Sequence, residues 1–179
     1  QFDFGYFTKP PLTSWIIGLS HAVFGHHQWA VRIPAPWLHL ATALVLWRAG
    51  AWLGGPSVGR LAALLWSTLP AVGLGGFLIS TDTPLLLFWS LGLMIIIGVT
   101  GGHLKPHRGM VVAGAAFGAA LMAKYAAVYG LLGLLVFFLL TRFWRGDNTV
   151  SVNHVLLFGF GCLLLASPNL VWNLLHDFA

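Results

Sequence analysis

Long uncharged runs limit this chain's possible folds more than any other feature. Between Arg60 and Asp82 stand 21 residues without a charge, between Asp82 and Lys105 stand 22, and between Asp147 and Asp177 stand 29. A hydrocarbon core takes about 20 apolar residues of helix, so each run is long enough to cross one. Hydrophobic residues make up 58% of the 179 and charged residues 7%, and glutamate is absent. A soluble domain carries about a quarter charged residues, so this chain cannot cover a water-facing surface with polar groups. Backbone in lipid must satisfy its own hydrogen bonds, which leaves helices here. The expected class is all-α: a polytopic transmembrane helix bundle.

The net charge of +5 comes from basic residues scattered singly and in pairs. That pattern suits membrane topology rather than nucleic acid, so the bilayer is the expected partner and no nucleic acid is. Cys162 is the only cysteine and can form no intrachain disulfide. There is no Gly-rich phosphate loop, HExxH helix or cysteine cluster. The chain opens without an initiator Met and closes on HDFA, and it is expected to be an excerpt of a longer protein.

Residues 1–11 read as a loop, because Pro10 and Pro11 exclude a regular helix before them. In residues 12–25, Leu12, Trp15, Ile16, Leu19 and Val23 recur at helical spacing, as in a helix lying in the membrane interface. A helix packed on the spans is the alternative. Residues 31–179 hold the transmembrane spans. The first runs from about Ile33 to Trp47, the second from Val58 to Ile79, and the third from Pro84 to Val99 after an N-cap at Thr81 or Asp82. The 32 residues from Met110 to Thr141 would make a single helix of about 48 Å, too long for one ordinary crossing. Two short spans turning near Lys124 fit better, and a last one covers Val150 to Ala166. About six spans plus one interfacial helix result, all within a single membrane-embedded unit, 1–179.

This topology sorts the charges. Arg48, Arg60, Lys105, Arg108, Arg142 and Arg145 fall on one side, and Lys9, Arg32 and Lys124 on the other. The first side is therefore expected to be cytoplasmic. Asp3, Asp82, His176 and Asp177 join the second group. Ionisable groups near membrane depth are costly enough to suggest function. Cations mixed with isolated carboxylates at headgroup level suit an anionic lipid substrate, the cations holding phosphate oxygens and a carboxylate handling a proton. Each residue also has a plainer reading. Lys9 and Arg32 serve as membrane-edge anchors, Asp82 as a helix cap, Lys124 as a snorkelling lysine, and His176 as part of an interfacial loop. His103 and His107 read as solvated, and His21, His26 and His27 are poorly spaced for a metal. GLGG at Gly73–Gly76 reads as close helix packing.

Five segments stand in order: FDFGYFTKPPLTSWIIGLSHAVFG, AVRIP, STDTPLLLFWSLGL, LMAKYAAVYGLL and SPNLVWNLLHDF. The series resembles the membrane-embedded glycosyltransferases of the dolichyl-phosphate-mannose protein mannosyltransferase type, family 39-like, with bacterial relatives such as the lipid A aminoarabinose transferases. The resemblance spans essentially the whole chain. It implies a GT-C bundle with a periplasmic or lumenal active site, and inverting transfer of a sugar from a polyprenyl-phosphate donor to an acceptor it does not identify. It implies that Lys9, in the KPP motif, contacts the carrier phosphate and that Asp82, in the TD-x-P motif, belongs to the catalytic site. Arg32 and Lys124 match as further substrate-binding positions.

The family's Asp-Glu pair is expected upstream of Gln1, so the excerpt alone is expected to be inactive. Some relatives carry a metal-binding acid just before the KPP lysine. Thr8 stands there, so no cofactor is assigned and a divalent metal stays open without ligands. A transporter or flippase of a lipid-linked anion is the alternative function. It would favour internal repeats and charges near the midplane, and neither is visible.

Overall fold

The computed structural model describes residues 9–143 and 150–176. Asp3, Thr8, Arg145 and Asp177 lie outside them. The described residues are helical with no strand, in the order α1 (Leu12–Phe24), α2 (Gln28–Arg32), α3 (Pro34–Gly54), α4 (Pro56–Thr68), α5 (Pro70–Gly75), α6 (Asp82–Thr100), α7 (Pro106–Ala123), α8 (Val128–Phe143) and α9 (Val152–Leu175). A single 3-10 turn, Tyr125–Ala127, joins α7 to α8. Three stretches are long and apolar enough to cross a membrane: Gln28–Gly54, Asp82–Thr100 and Val152–Leu175. The chain is thus an all-α membrane bundle.

Contacts between helices set their directions. Gly98 of α6 faces Trp52 of α3, so these two run parallel. Gly92 of α6 meets Phe117 of α7 and Val99 meets Gly109, so α7 returns. Along α9, Phe158 and Cys162 track Gly114 and Gly118 of α7, which makes this pair parallel. Helix α7 is the centre of the bundle. Its buried residues are mostly Gly and Ala, which lets neighbouring backbones come close where no water is available to drive apolar association.

Proline and glycine punctuate the fold. Gly55, at φ 88°, ends α3 in a conformation L side chains rarely adopt, and Pro56 starts α4 where its missing N–H costs nothing. The expected single span over Val58–Ile79 is corrected: Leu69 is extended at ψ 127°, and α5 begins afresh at Pro70. Proline disfavours helical backbone in the residue before it. The last helix departs the other way. The segment SPNLVWNLL continues α9 to Leu175 with Pro168 inside it. Proline there frees the carbonyl four residues back, and Ser167 Oγ donates to that carbonyl, Leu164 O, at 2.9 Å. The first span likewise passes Arg48, whose guanidinium lies 4.5 Å above the Trp52 ring.

At Lys124 the chain does turn, as the charge placement predicts. Lys124 is extended (φ −160°, ψ 132°) between α7 and the 3-10 turn. Helix α8 then runs back towards the start of α7, with Leu134 and Phe138 near Met110 across an apolar cavity of ≈ 200 Å³.

Candidate functional site at one end of the bundle

The directions just described bring the start of α6, the end of α7 and the end of α9 to one end. Asp82 is the first residue of α6. Its backbone N–H is taken by Ser80 Oγ at 3.2 Å, and Thr81 makes no side-chain cap. The Asp82 carboxylate instead accepts a hydrogen bond from Lys124 Nζ at 2.7 Å, bridging 42 positions of sequence. This is the one ion pair among the described residues. The helix-cap reading of Asp82 gives way to a pairing reading.

The Lys124 and Asp82 side chains are 42% and 52% exposed. An exposed pair of this kind contributes about 0–1 kcal/mol to stability, so it is available to ligands and has little value as a staple. A lysine ammonium has three N–H donors, and Asp82 is its one hydrogen-bond partner among the described residues. Two donors therefore remain for an anion.

Beside Lys124, Tyr125 extends the site to α9. Asn173 Nδ2 donates to Asn169 O at 2.8 Å and to the Tyr125 hydroxyl at 3.3 Å. That hydroxyl in turn donates to Asn169 Oδ1 at 3.1 Å. The Asn173 amide orientation is fixed here by chemistry, because a backbone carbonyl can only accept. One turn further, His176 Nδ1 donates to Trp172 O at 2.8 Å. Its ring stacks on Trp172 with centroids 4.1 Å apart and planes 13° from parallel.

Of the expected site residues, Asp82 and Lys124 touch, and His176 stands just past α9 at the same end of the bundle, in contact with Trp172. Lys9 lies at the same end: Leu12, three residues on, packs on Leu85, Ala120, Ala123 and Ala127, beneath the ion pair. Arg32 closes α2 just before α3 begins, and α3 starts level with α6. Both Lys9 and Arg32 are exposed, and neither forms an ion pair among the described residues. Tyr125, Asn169 and Asn173 were missed as site residues. A readable signal existed, since two asparagines four apart on an apolar helix share one face.

The other histidines have ring partners of their own. His103 stacks on Trp52 at 5.3 Å and His107 meets His154 edge-on at 5.3 Å, and both stay exposed, as expected of solvated residues. His21 and His26 also meet, at 5.1 Å. Among the described residues no three His, Cys, Asp or Glu side chains converge in a way that could hold a metal, and no ligand set is assigned. Of the GLGG glycines, Gly75 fits the packing reading: a Cβ there would lie 2.8 Å from His39 Nε2, whereas Gly73 has open space around it.

Residues 8–172 match the family model described as dolichyl-phosphate-mannose-protein mannosyltransferase. The chain is 32% identical over 177 residues to the lipid A galacturonosyltransferase RgtD of Rhizobium johnstonii, covering 98% of this chain and 36% of the relative. It is 28% identical over 165 residues to the undecaprenyl phosphate-alpha-4-amino-4-deoxy-L-arabinose arabinosyl transferase of an Enterobacter species, covering 88% of this chain and 28% of the relative. The chain thus spans about a third of the length of the curated relatives it matches. No solved structure matches it.

Proposed function

The chain belongs to the dolichyl-phosphate-mannose-protein mannosyltransferase family, and from that premise we propose that the protein containing it moves a sugar from a polyprenyl-phosphate carrier to a lipid acceptor at the non-cytoplasmic face of a bacterial inner membrane. The observation that carries this reading is the Asp82–Lys124 pair, half-exposed at the end of the bundle where Lys9 and Arg32 also lie. Both named relatives transfer sugars, one of them to lipid A and one from undecaprenyl phosphate. A transporter reading has no comparable observation in its favour.

The orientation follows from charge. In this reading α3, α4 with α5, α6, α7, α8 and α9 alternate as six crossings, and α1 lies in the interface. Arg48, Arg60, Lys105 and Arg108 gather at the end away from Asp82. By the excess of cations in cytoplasmic loops, that end faces the cytoplasm and the site faces the periplasm.

In the reaction, an acceptor hydroxyl attacks the anomeric carbon from the side opposite the carrier phosphate. The bond from that carbon to the phosphate oxygen breaks, and its electron pair leaves with the phosphate. The hydroxyl proton passes to a base, for which the chain's described residues supply no unpaired carboxylate. Lys9 and the two unengaged N–H donors of Lys124 hold the departing phosphate, with Arg32 near the mouth. Fixed cations stabilise charge that grows in the transition state, because they need no reorganisation when the bond breaks. Asp82 aims Lys124 and lies where an acceptor hydroxyl would approach.

The test uses the full-length protein in detergent with a labelled undecaprenyl-phosphate sugar, measuring bound donor and released carrier. Lys9→Ala should lose donor binding, while Asp82→Asn should keep binding and lose turnover. If both variants bind and turn over like wild type, these residues are anchors and the site is misplaced.

A further inference from the structure

Local sequence does not favour leaving the helix at Lys124. The run from Ala119 to Tyr129, AALMAKYAAVY, contains no Gly or Pro, and Ala, Leu, Met and Lys are among the strongest helix formers. Lys124 is nevertheless extended, at φ −160° and ψ 132°. Propensity alone would carry α7 onward, so the break is held by contacts made outside the run.

Two consecutive side chains make polar contacts of that kind, and they go to different helices. Lys124 Nζ reaches Asp82 at the start of α6 at 2.7 Å. The Tyr125 hydroxyl reaches Asn169 and Asn173 on α9 at 3.1 and 3.3 Å. Extended backbone sends successive side chains to opposite sides, whereas a helix turns them by only about 100°. The two contacts differ in their access to water. The ion pair is half-exposed, and water competes for both of its members. Asn169 is buried, with 4% of its surface exposed. An amide at that depth is costly unless hydrogen-bonded, and the Tyr125 hydroxyl is one of its partners. Ala123 and Ala127 pack with Leu85 on either side of the turn, but apolar contact is non-directional and does not aim a side chain.

We propose that Tyr125 and Asn169 are positioning residues of the site. The Tyr125 hydroxyl, held by Asn169 on α9, keeps Lys124 extended, and this directs the ammonium towards Asp82 and the anion it binds. Neither residue has to touch the ligand. The inference rests on the reading of Lys124 as a phosphate-holding residue and adds what aims it. Setting the backbone in advance lowers the ordering cost that binding would otherwise carry.

The test is a double-mutant cycle on the full-length protein in detergent, with undecaprenyl phosphate as the probe. Tyr125→Phe removes the hydroxyl and keeps the ring. It should weaken binding about fivefold, the equivalent of one hydrogen bond. In the Lys124→Gln background the same change should have no further effect, because the group it aims is gone. A direct contact between Tyr125 and the ligand, or a general role in holding the fold, would instead cost the same factor in both backgrounds. Asn169→Ala should also weaken binding, and Tyr125→Phe added to it should change nothing more. Should Asn169→Ala fail to fold, the Tyr125 cycle decides alone. The inference is overturned if Tyr125→Phe or a folded Asn169→Ala binds like wild type, or if the Tyr125→Phe loss persists undiminished without Lys124. Unchanged affinity in Lys124→Gln itself instead overturns the phosphate reading beneath the inference.

Discussion

Helices α9 and α8 relate to α7 in opposite ways, α9 packed along it and α8 set apart from it. Against α9 the backbones nearly touch. A Cβ added at Gly114 would lie 1.9 Å from Phe158 O, one at Gly161 2.1 Å from Val111 O, and one at Gly118 2.4 Å from Cys162 O. Against α8 there is instead the apolar cavity of ≈ 200 Å³ bordered by Met110, Leu134, Phe138 and Phe158. The close seam ends where Tyr125 meets Asn169 and Asn173, and the loose side contributes no residue to the site. In lipid, helices are held by close packing and by hydrogen bonds. The difference teaches that backbone contact fixes α9 against α7, and that this seam sets Asn169 and Asn173 against Tyr125.

The sharpest way to break this contrast is to add bulk to the seam. Gly114→Val should force α7 and α9 apart, and overpacking of this kind costs about 1–3 kcal/mol or more. A large fall in the thermal midpoint, or loss of monodisperse protein, is expected. Leu134→Ala, on the loose side, should cost less, under about 2 kcal/mol, because Leu134 is only half-buried and gives up part of a leucine's burial. Equal losses for the two variants would erase the distinction between the helices. Smaller again is Ser167→Ala, which leaves Leu164 O without its hydroxyl partner beside Pro168. About 1 kcal/mol is expected, read by thermal unfolding. Smallest, and of opposite sign, is Gly133→Ala on α8. Nothing lies within 4 Å of the added Cβ, so helix propensity alone should raise stability by up to about 1 kcal/mol.

Much of the loose side and half of the site were legible from residues alone. Lys124 was readable because a charge in the middle of 32 apolar residues is compatible with a turn and costly inside a span, and Asp82 because it divides two uncharged runs. Their contact was not readable, since it depends on how α6 and α7 cross. Helix α9 was drawn too short because Pro168 reads as a stop, and the compensating hydroxyl of Ser167 acts only once the helix exists. That misreading hid Asn169 and Asn173, whose alignment needs the helix to continue through them. The second span was drawn unbroken because its composition is uniformly apolar, while the break at Leu69–Pro70 is local backbone sterics. Charge and hydropathy show in a sequence as composition, whereas hydrogen bonds between uncharged side chains appear only with the packing.

The most direct measurement is the affinity of the full-length protein for undecaprenyl phosphate, comparing Lys124→Gln with Arg108→Gln at the far end of the bundle. With Lys124 holding phosphate, Lys124→Gln should weaken binding about tenfold or more, as loss of a charge-assisted contact does. Its thermal midpoint should stay close to wild type, because the Asp82 pair is half-exposed. Arg108→Gln should bind like wild type. Unchanged affinity in Lys124→Gln, or an equal loss in Arg108→Gln, would contradict a phosphate site at the Asp82–Lys124 end.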